Sequence, residues 1–219
     1  MDRDFWHQRW QQRLIGFHLD DFNPHLVSFW GRLGLDSSVP VFVPLCGKSH
    51  DLLWLADQGH PVVGVELSEI AVEEFFRDHG LAFERSEIDT FSVWRGAGIT
   101  LYCGDFFALR SEHLAGIGAV YDRASLIALP LPMRRRYADH LRSLLPTSAP
   151  LLLVTLDYPQ QEMDGPPFAV SPDEVRALYG EWYSVTEHHS EDALDARFRE
   201  RGVTRMDERV FALRAGGGQ

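Results

Sequence analysis

The chain has 219 residues, a formal net charge of −11 at pH 7 and 45% hydrophobic residues. This length and composition suit one globular α/β domain that buries a core without disulfides or structural metals, and they exclude a disordered chain. An acidic surface repels a polyanion, so we expect no nucleic-acid partner.

Two cysteines, Cys46 and Cys103, are too few for a disulfide framework. No charged start leads into an apolar run, and no apolar stretch is long enough to span a bilayer, so we expect neither a signal peptide nor a membrane partner. These features predict a cytoplasmic protein with free thiols. Because no long exposed apolar surface is evident, we also predict a monomer.

The amino-terminal residues predict two helices. Within 4–15, Trp6, Trp10 and Leu14 recur every four residues, which places them on one helical face. A second helix is predicted over 23–33, with Asn23 as its cap and Pro24 in its first turn. We interpret this part as an extension of the domain. The predicted boundaries are 1–33 for the extension, 34–214 for the core and 215–219 for a flexible tail.

Buried strands and helices alternate along the next part of the chain. Strands are predicted at 40–45, 62–66, 118–122 and 151–158, and helices at 49–58, 69–78, 131–145 and 171–180. FSVW and ITLYC predict a hairpin, and YSVTEHH and RVFALR predict an antiparallel pair at a sheet edge. Alternation of this kind predicts parallel βαβ units, whose ligands bind outside the carboxyl ends of the strands.

The loop after the first strand contains the tripeptide GKS, which closes the phosphate loop of many nucleotide hydrolases. That loop also needs a glycine five residues before Gly47, and the residue there is Phe42. The sequence therefore does not predict a nucleoside triphosphatase. The dinucleotide pattern GxGxxG is also missing, which favours a nucleoside without a pyrophosphate, such as S-adenosylmethionine.

An acidic residue ends the second predicted strand. Glu66 follows Gly47 by 66 − 47 = 19 residues, the spacing at which nucleoside-binding folds hold ribose hydroxyls. A carboxylate can accept a hydrogen bond from each hydroxyl of the diol. The alternative is an acid that caps Ser68 or faces solvent.

Two later strand ends also carry polar side chains. Asp105 stands beside Phe106, where the pair can bind and pack on an adenine, or Asp105 can simply cap a short helix. Asp122 and Arg123 end the next strand, where they can pair with each other. Alternatively, Arg123 can hold the carboxylate of a bound amino-acid moiety through a bidentate contact.

Motifs along almost the whole chain resemble the thiopurine S-methyltransferase family. They are WHQRW and GFH near the start, VFVPLCGKS at 41–49, GHPVVGVELSE at 59–69, LYCGDFF at 101–107, YDRASLIAL at 121–129, DGPPF at 164–168 and DALDARFRERG at 192–202. The resemblance implies the α/β class I S-adenosylmethionine-dependent methyltransferase (Rossmann-like) fold. That fold has a seven-stranded, mostly parallel sheet with an antiparallel edge and helices on both faces, and here a helical amino-terminal lid.

The resemblance also implies a site. Its cofactor would be S-adenosylmethionine, contacted by Trp10, Leu45, Glu66, Asp105, Phe106 and Arg123. Phe17 would belong to the lid, and Phe168 and Arg197 would lie near the acceptor. We expect Arg123 and Arg197 to favour the thiolate form of the acceptor, because a nearby cation stabilises an anion. Asp122 would orient Arg123 or relay a proton.

We predict no metal. Adjacent residues on a strand point to opposite faces, so His188 and His189 are not expected to bind one ion together. The predicted acceptor is a small thiol, with selenium or tellurium compounds as a further expectation from bacterial members of the family. Alternatives are halide or simple-thiol methylation, a nicotinamide-dependent oxidoreductase and a non-catalytic nucleoside-binding module.

Overall fold

The structure is a computed structural model that describes residues 3–216. Its strands are β1 Val41–Val43, β2 Val62–Glu66, β3 Glu84–Ile88, β4 Phe91–Gly96, β5 Ile99–Cys103, β6 Ala119–Arg123, β7 Leu151–Asp157, β8 Tyr183–Asp192 and β9 Asp207–Ala215. Its α-helices are α1 Arg3–Gln11, α2 Pro24–Phe29, α3 Asp51–Asp57, α4 Glu69–Asp78, α5 Leu131–Leu144, α6 Pro172–Tyr179 and α7 Ala196–Glu200. Short 3-10 turns follow at Trp30–Leu33, Phe106–Ala108, Ser111–Leu114, Leu126–Ala128 and Gln160–Glu162.

The strands form one sheet in the order β3-β4-β5-β2-β1-β6-β7-β9-β8. The five central strands from β5 to β7 are parallel, whereas the outer strands pair antiparallel at both edges. The predicted β4–β5 hairpin and the β8–β9 edge pair are confirmed. The expected count of seven strands was wrong, because the hairpin strands β3 and β4 extend the sheet beyond β5.

The two faces of the sheet bury separate parts of the core. Phe42, Val120 and Leu153 pack on one face with residues of α5 and α6. Val41 and Val154 pack on the other face with residues of α2, α3 and α4. Side chains of successive strand residues point to opposite faces, so the near-continuous apolar runs of the central strands supply both layers. The predicted helices on both faces are confirmed.

Helix ends shape the loops around the carboxyl ends of the strands. Asn23 caps α2 by accepting hydrogen bonds from the backbone nitrogens of His25 and Leu26, as predicted. Helix α1 ends before residue 15 because Arg13 adopts a φ of 55°, and α3 begins at Asp51 rather than at residue 49. Residues 44–50 are therefore free to form a loop.

A β-bulge interrupts the edge strand β8. The pairing with β9 shifts between Glu187 and His189, which leaves His188 as the extra residue. The rings of His188 and His189 then both pack near Phe29, with centroid distances of 6.4 and 5.4 Å. The expectation that these two side chains face apart was wrong, because a bulge breaks the alternation of a regular strand.

No helix within residues 3–216 is both long enough and apolar enough to cross a membrane.

Candidate active site

A cavity of about 870 Å³ lies at the carboxyl ends of the central strands. Its lining includes residues within two positions of the ends of β1, β2, β5, β6 and β7, namely Leu45, Glu66, Asp105, Arg123 and Thr155. Parallel strands bring their carboxyl ends to one edge, which is where ligands bind in open α/β sheets. The volume lies within the range typical of small-molecule sites.

The loop after β1 forms one wall of the cavity. Leu45 and Gly47 both adopt a positive φ, of 44° and 55°, so the chain turns sharply away from the strand. A side chain at Gly47 would begin 3.3 Å from the ring of Trp10, so a glycine allows the amino-terminal helix to pack closely on the loop. The hydroxyl of Ser125 stabilises the loop by donating a hydrogen bond to the carbonyl of Pro44 at 2.7 Å.

Glu66 is buried at the end of β2 and lines the cavity. Its Oε2 accepts a hydrogen bond from the backbone nitrogen of Gly47 at 2.9 Å, and its Oε1 accepts one from Ser68 at 2.7 Å. Burial raises its pKa from 4.5 to about 7, although these hydrogen bonds oppose the shift. Ser68 is the cap residue of α4, but its side chain makes no hydrogen bond that caps the helix. Each oxygen of the Glu66 carboxylate accepts one backbone hydrogen bond, so the carboxylate can accept further bonds from a ligand in the cavity.

The loop after β5 contributes Asp105 and Phe106. Asp105 caps a 3-10 turn by accepting from the backbone nitrogen of Phe107 at 3.0 Å, and it also lines the cavity and pairs with Arg3. The predicted cap is therefore observed, and the contact with adenine stays a prediction. Phe106 is buried against Tyr137, with ring centroids 4.8 Å apart.

Asp122 and Arg123 face opposite sides of the sheet. Arg123 lines the cavity and donates to the carbonyl of Phe17 at 3.5 Å. Asp122 is fully buried on the other face, where it accepts from the hydroxyl of Tyr137 at 2.7 Å. The expected pairing of the two residues, and the idea that Asp122 orients Arg123, are not supported, because strand alternation separates their side chains. Burial raises the pKa of Asp122 to about 6.

The amino-terminal segment forms part of the cavity wall. Phe17 makes edge-to-face contacts with Trp6 and Trp10 at 5.8 and 5.7 Å, and all three rings line the cavity. Arg197, on α7, donates to the carbonyl of Gly16 at 2.7 Å. Two arginines from different elements therefore hold adjacent carbonyls of this segment, at Gly16 and Phe17.

The DGPPF loop reaches the cavity through its prolines. Pro166 and Pro167 line it, whereas Phe168 does not belong to the lining. The ring of Phe168 lies under the guanidinium of Arg134 at 5.8 Å, and its backbone nitrogen bonds to Ile127 at 2.7 Å. The acceptor-side role expected for Phe168 is therefore not supported by its position.

Several lining residues were not predicted as site residues. Tyr137 on α5 looks in the sequence like any core residue at helical spacing, and Glu208 on β9 belongs to no motif. Cys46 lines the cavity although it is almost fully buried, and burial, aided by the charge of Glu66, raises the pKa of its thiol well above the usual value. The pKa of the Cys103 thiol is raised to about 12, also mainly by burial.

The cavity is richer in positive charge than the rest of the chain. Its lining contains seven arginine and lysine residues and five acidic residues. The whole chain contains 21 basic and 32 acidic residues. An anionic group is therefore attracted to this cavity although the protein as a whole repels it.

Comparisons with known proteins give a consistent result. A family model described as "Thiopurine S-methyltransferase (TPMT)" matches residues 1–216. A thiopurine S-methyltransferase of Pseudomonas aeruginosa (strain LESB58) is 54% identical over 218 residues, which cover 99% of this chain and 100% of that protein. One of Nitrosospira multiformis is 48% identical over 215 residues, which cover 97% of this chain and 98% of that protein.

Solved structures show the same fold at low sequence identity. A SAM-dependent methyltransferase from Anabaena variabilis has a TM-score of 0.69 and 14% identity, and the match covers 98% of this chain and 95% of that one. A 1,6-didemethyltoxoflavin-N1-methyltransferase from Burkholderia thailandensis, solved with S-adenosylhomocysteine, has a TM-score of 0.63 and 13% identity, with coverage of 98% and 87%. The predicted α/β methyltransferase fold is thereby confirmed.

Proposed function

The chain belongs to the thiopurine S-methyltransferase family, and we propose that it transfers a methyl group from S-adenosylmethionine to the sulfur of small aromatic or heterocyclic thiols. The observation that carries this proposal is the cavity itself. It joins a buried carboxylate at the end of β2 to two arginines, Arg123 and Arg197, under one aromatic cover. The carboxylate suits a nucleoside, and the arginines suit an anionic acceptor.

The residues present fit the cofactor. Glu66 has lone pairs left after its two backbone bonds, so it can accept from a ribose diol. Asp105 and Phe106 stand at the next strand end, where they would hold the adenine. Leu45, Trp10 and Arg123 would surround the amino-acid part, with the guanidinium facing its carboxylate. When bound, S-adenosylmethionine supplies an electrophilic methyl carbon on a positively charged sulfur.

The chain prepares the acceptor for attack at that carbon. A thiol must first lose its proton, because the thiolate is the nucleophile. Arg123 and Arg197 lie in the lining, and their charge lowers the pKa of an acceptor thiol between them. Arg123 and Arg197 would hold the thiolate, and S-adenosylmethionine would supply the methyl carbon that the thiolate accepts. Heterocyclic thiols are acidic enough to release the proton to water.

The amino-terminal segment would exclude water from the two reactants and help to align them. The rings of Trp6, Trp10 and Phe17 pack together as an apolar cover. Arg123 and Arg197 donate hydrogen bonds to the backbone of the segment that carries Phe17. A closed cavity excludes water and aligns the two reactants, which is most of what an in-line displacement requires. Asp122 contributes from outside the lining, since it fixes the hydroxyl of Tyr137.

A ligand titration tests the proposal. We expect calorimetry on the purified chain to show tight binding of S-adenosylhomocysteine and no binding of NADH or ATP. Binding of NADH or ATP instead would overturn the assignment and favour an oxidoreductase or a nucleotide-binding module. A panel containing a heterocyclic thiol, an alkyl thiol, halide and selenite then distinguishes the acceptor classes. Methylation of selenium or tellurium compounds, the monomeric state and the cytoplasmic location stay predictions.

A further inference from the structure

Four side chains that can bind a metal lie between α2 and the edge strands β8 and β9, beside the cavity, to whose lining Glu208 belongs. His25 lies on α2, His189 and Glu191 on β8, and Glu208 on β9. The ligand atoms of His25, His189 and Glu191 all lie within 4.8 Å of one another. His25 is buried, His189 and Glu208 are partly exposed, and Glu191 is exposed, so an ion can enter from solvent.

The bulge in β8 creates this cluster. If the pairing of Glu187 with Phe211 continued regularly, Ser190 would stand opposite Glu208. The register shift instead places Glu191 opposite Glu208 and His189 opposite Val210. Val210 faces the α2 side of the sheet, so His189 and Glu191 turn toward His25. Bulges often serve to re-aim a side chain in this way.

The charges in the cluster require a cation. Glu191 and Glu208 stand directly opposite each other on one face of an antiparallel pair, an arrangement that is destabilising for like charges. His25 Nε2 lies 3.2 Å from an oxygen of each glutamate.

Three of the spacings between the ligand atoms are close to those around a tetrahedral zinc ion. Zinc binds histidine nitrogen and carboxylate oxygen at about 2.0–2.2 Å, which separates neighbouring ligand atoms by about 3.3 Å. In the structure His25 Nε2 is 3.2 Å from Glu208 Oε2 and 3.2 Å from Glu191 Oε1. His189 Nε2 is 3.2 Å from Glu191 Oε2. Small side-chain adjustments would seat an ion among His25, His189 and Glu191, and Glu208 Oε2 reaches the same site through its position 3.2 Å from His25 Nε2.

We propose that His25, His189, Glu191 and Glu208 form a binding site for a divalent transition metal of the zinc class. Two imidazoles favour zinc over magnesium or calcium, which prefer oxygen ligands. Four protein ligands fill the coordination sphere, as in structural sites. The ion ties α2 to the edge hairpin and thereby supports one wall of the cavity, because Pro24 and Glu208 also line it. The prediction of no metal, made from strand alternation, is replaced by this proposal.

The test measures zinc binding by the full chain after removal of any affinity tag and of bound metal with a chelator. Competition against a chromophoric chelator is expected to show one zinc equivalent per chain, with no uptake of magnesium. Zinc at a hundredfold excess over its Kd is expected to raise Tm by about 5–10 °C. His189→Ala is expected to weaken zinc binding by about tenfold or more, since even an outer-shell partner matters that much.

His188→Ala is the matched control, because it removes the neighbouring imidazole from the same strand and leaves the four ligands intact. It should retain both the zinc equivalent and the rise in Tm. Glu191→Gln, at an exposed position, provides a second test should His189→Ala fold poorly. The proposal is overturned if wild type takes up no zinc at micromolar concentrations. Equal zinc affinity in wild type and in both ligand variants would overturn it as well.

Discussion

Replacing Glu66 with glutamine separates the role of this residue in binding from its role in the fold. The substitution keeps the shape of the side chain but removes its charge and one acceptor oxygen. In the wild-type protein each carboxylate oxygen accepts a hydrogen bond from a backbone nitrogen, one from Gly47 and one from Ser68. In the amide only one oxygen remains, so one of these buried N–H groups loses its partner, at a cost of about 1–3 kcal/mol.

The loss of charge acts in the opposite direction. The pKa of Glu66 rises from 4.5 in the unfolded chain to about 7 in the folded one. The folded state therefore binds this proton more tightly than the unfolded chain does. The resulting stabilisation of the folded state is fully present below pH 4.5 and is lost as the pH rises through 7. Above pH 7, ionisation of Glu66 thus lowers the free energy of unfolding by about 3 kcal/mol relative to the protonated form. Glutamine avoids this cost, so we expect the variant at pH 8 to unfold within about 2 kcal/mol of wild type.

Cofactor binding should weaken, because the loss of charge has no compensating gain there. Hydrogen bonds to a charged acceptor contribute about 1.5–3 kcal/mol each, and the neutral amide retains at most a weaker one. A loss of about 2 kcal/mol corresponds to a Kd for S-adenosylhomocysteine about 30-fold higher. With a pKa of about 7, about a tenth of Glu66 is ionised at pH 6 and about nine-tenths at pH 8. Wild-type affinity should thus be about tenfold weaker at pH 6 than at pH 8, with no such slope in the variant.

Isothermal titration calorimetry with S-adenosylhomocysteine at both pH values measures these effects, and a chemical denaturation curve checks the fold. The reasoning is refuted if Glu66→Gln binds within about threefold of wild type at pH 8. It is also refuted if wild type and variant share the same dependence on pH, because the slope would then belong to another group.

Further predictions concern the cover, the acceptor side and the buried support. Removal of residues 1–20 should raise the Kd of S-adenosylhomocysteine by about tenfold while the circular dichroism spectrum persists; unchanged affinity in calorimetry would exclude the cover. Arg197→Ala should lower kcat/KM for thiol methylation by about 10–100-fold, the value of a charged hydrogen bond, whereas Arg199→Ala on the same helix should not; equal rates for both would remove Arg197 from the mechanism. Tyr137→Phe removes the hydroxyl that donates to Oδ2 of buried Asp122 and should lower Tm by several degrees, for a cost of about 1–3 kcal/mol; an unchanged Tm would show that the bond contributes nothing.

The position of the site followed from the sequence because parallel strands collect their carboxyl ends at one edge. Each strand end could be read from an apolar run and the residue that stops it, and Glu66 stood at the ribose spacing after Gly47. Strand alternation was equally available for Asp122 and Arg123, and it alone would have placed them on opposite faces. The pairing expected between them neglected that rule.

Other features left no signal in the sequence. Strand β3 reads ERSEI and is mostly exposed, so it lacks the apolar alternation by which strands are recognised. The bulge at His188 depends on the pairing register of β8 with β9, and residues 193–206 separate these two strands in the sequence. Phe168 packs under Arg134 from a distant helix. Such contacts are settled by tertiary packing and cannot be read from neighbouring residues.

The thiol of Cys46 raises a problem that is particular to this chemistry. The chain belongs to a family of sulfur methyltransferases, and it holds a sulfur nucleophile of its own in the cavity wall. Its burial and the neighbouring charge of Glu66 keep this thiol protonated, and thus unreactive, at any physiological pH. Burial thus keeps the Cys46 thiol from competing with a thiol acceptor, and the Glu66 carboxylate adds to this effect where it is ionised.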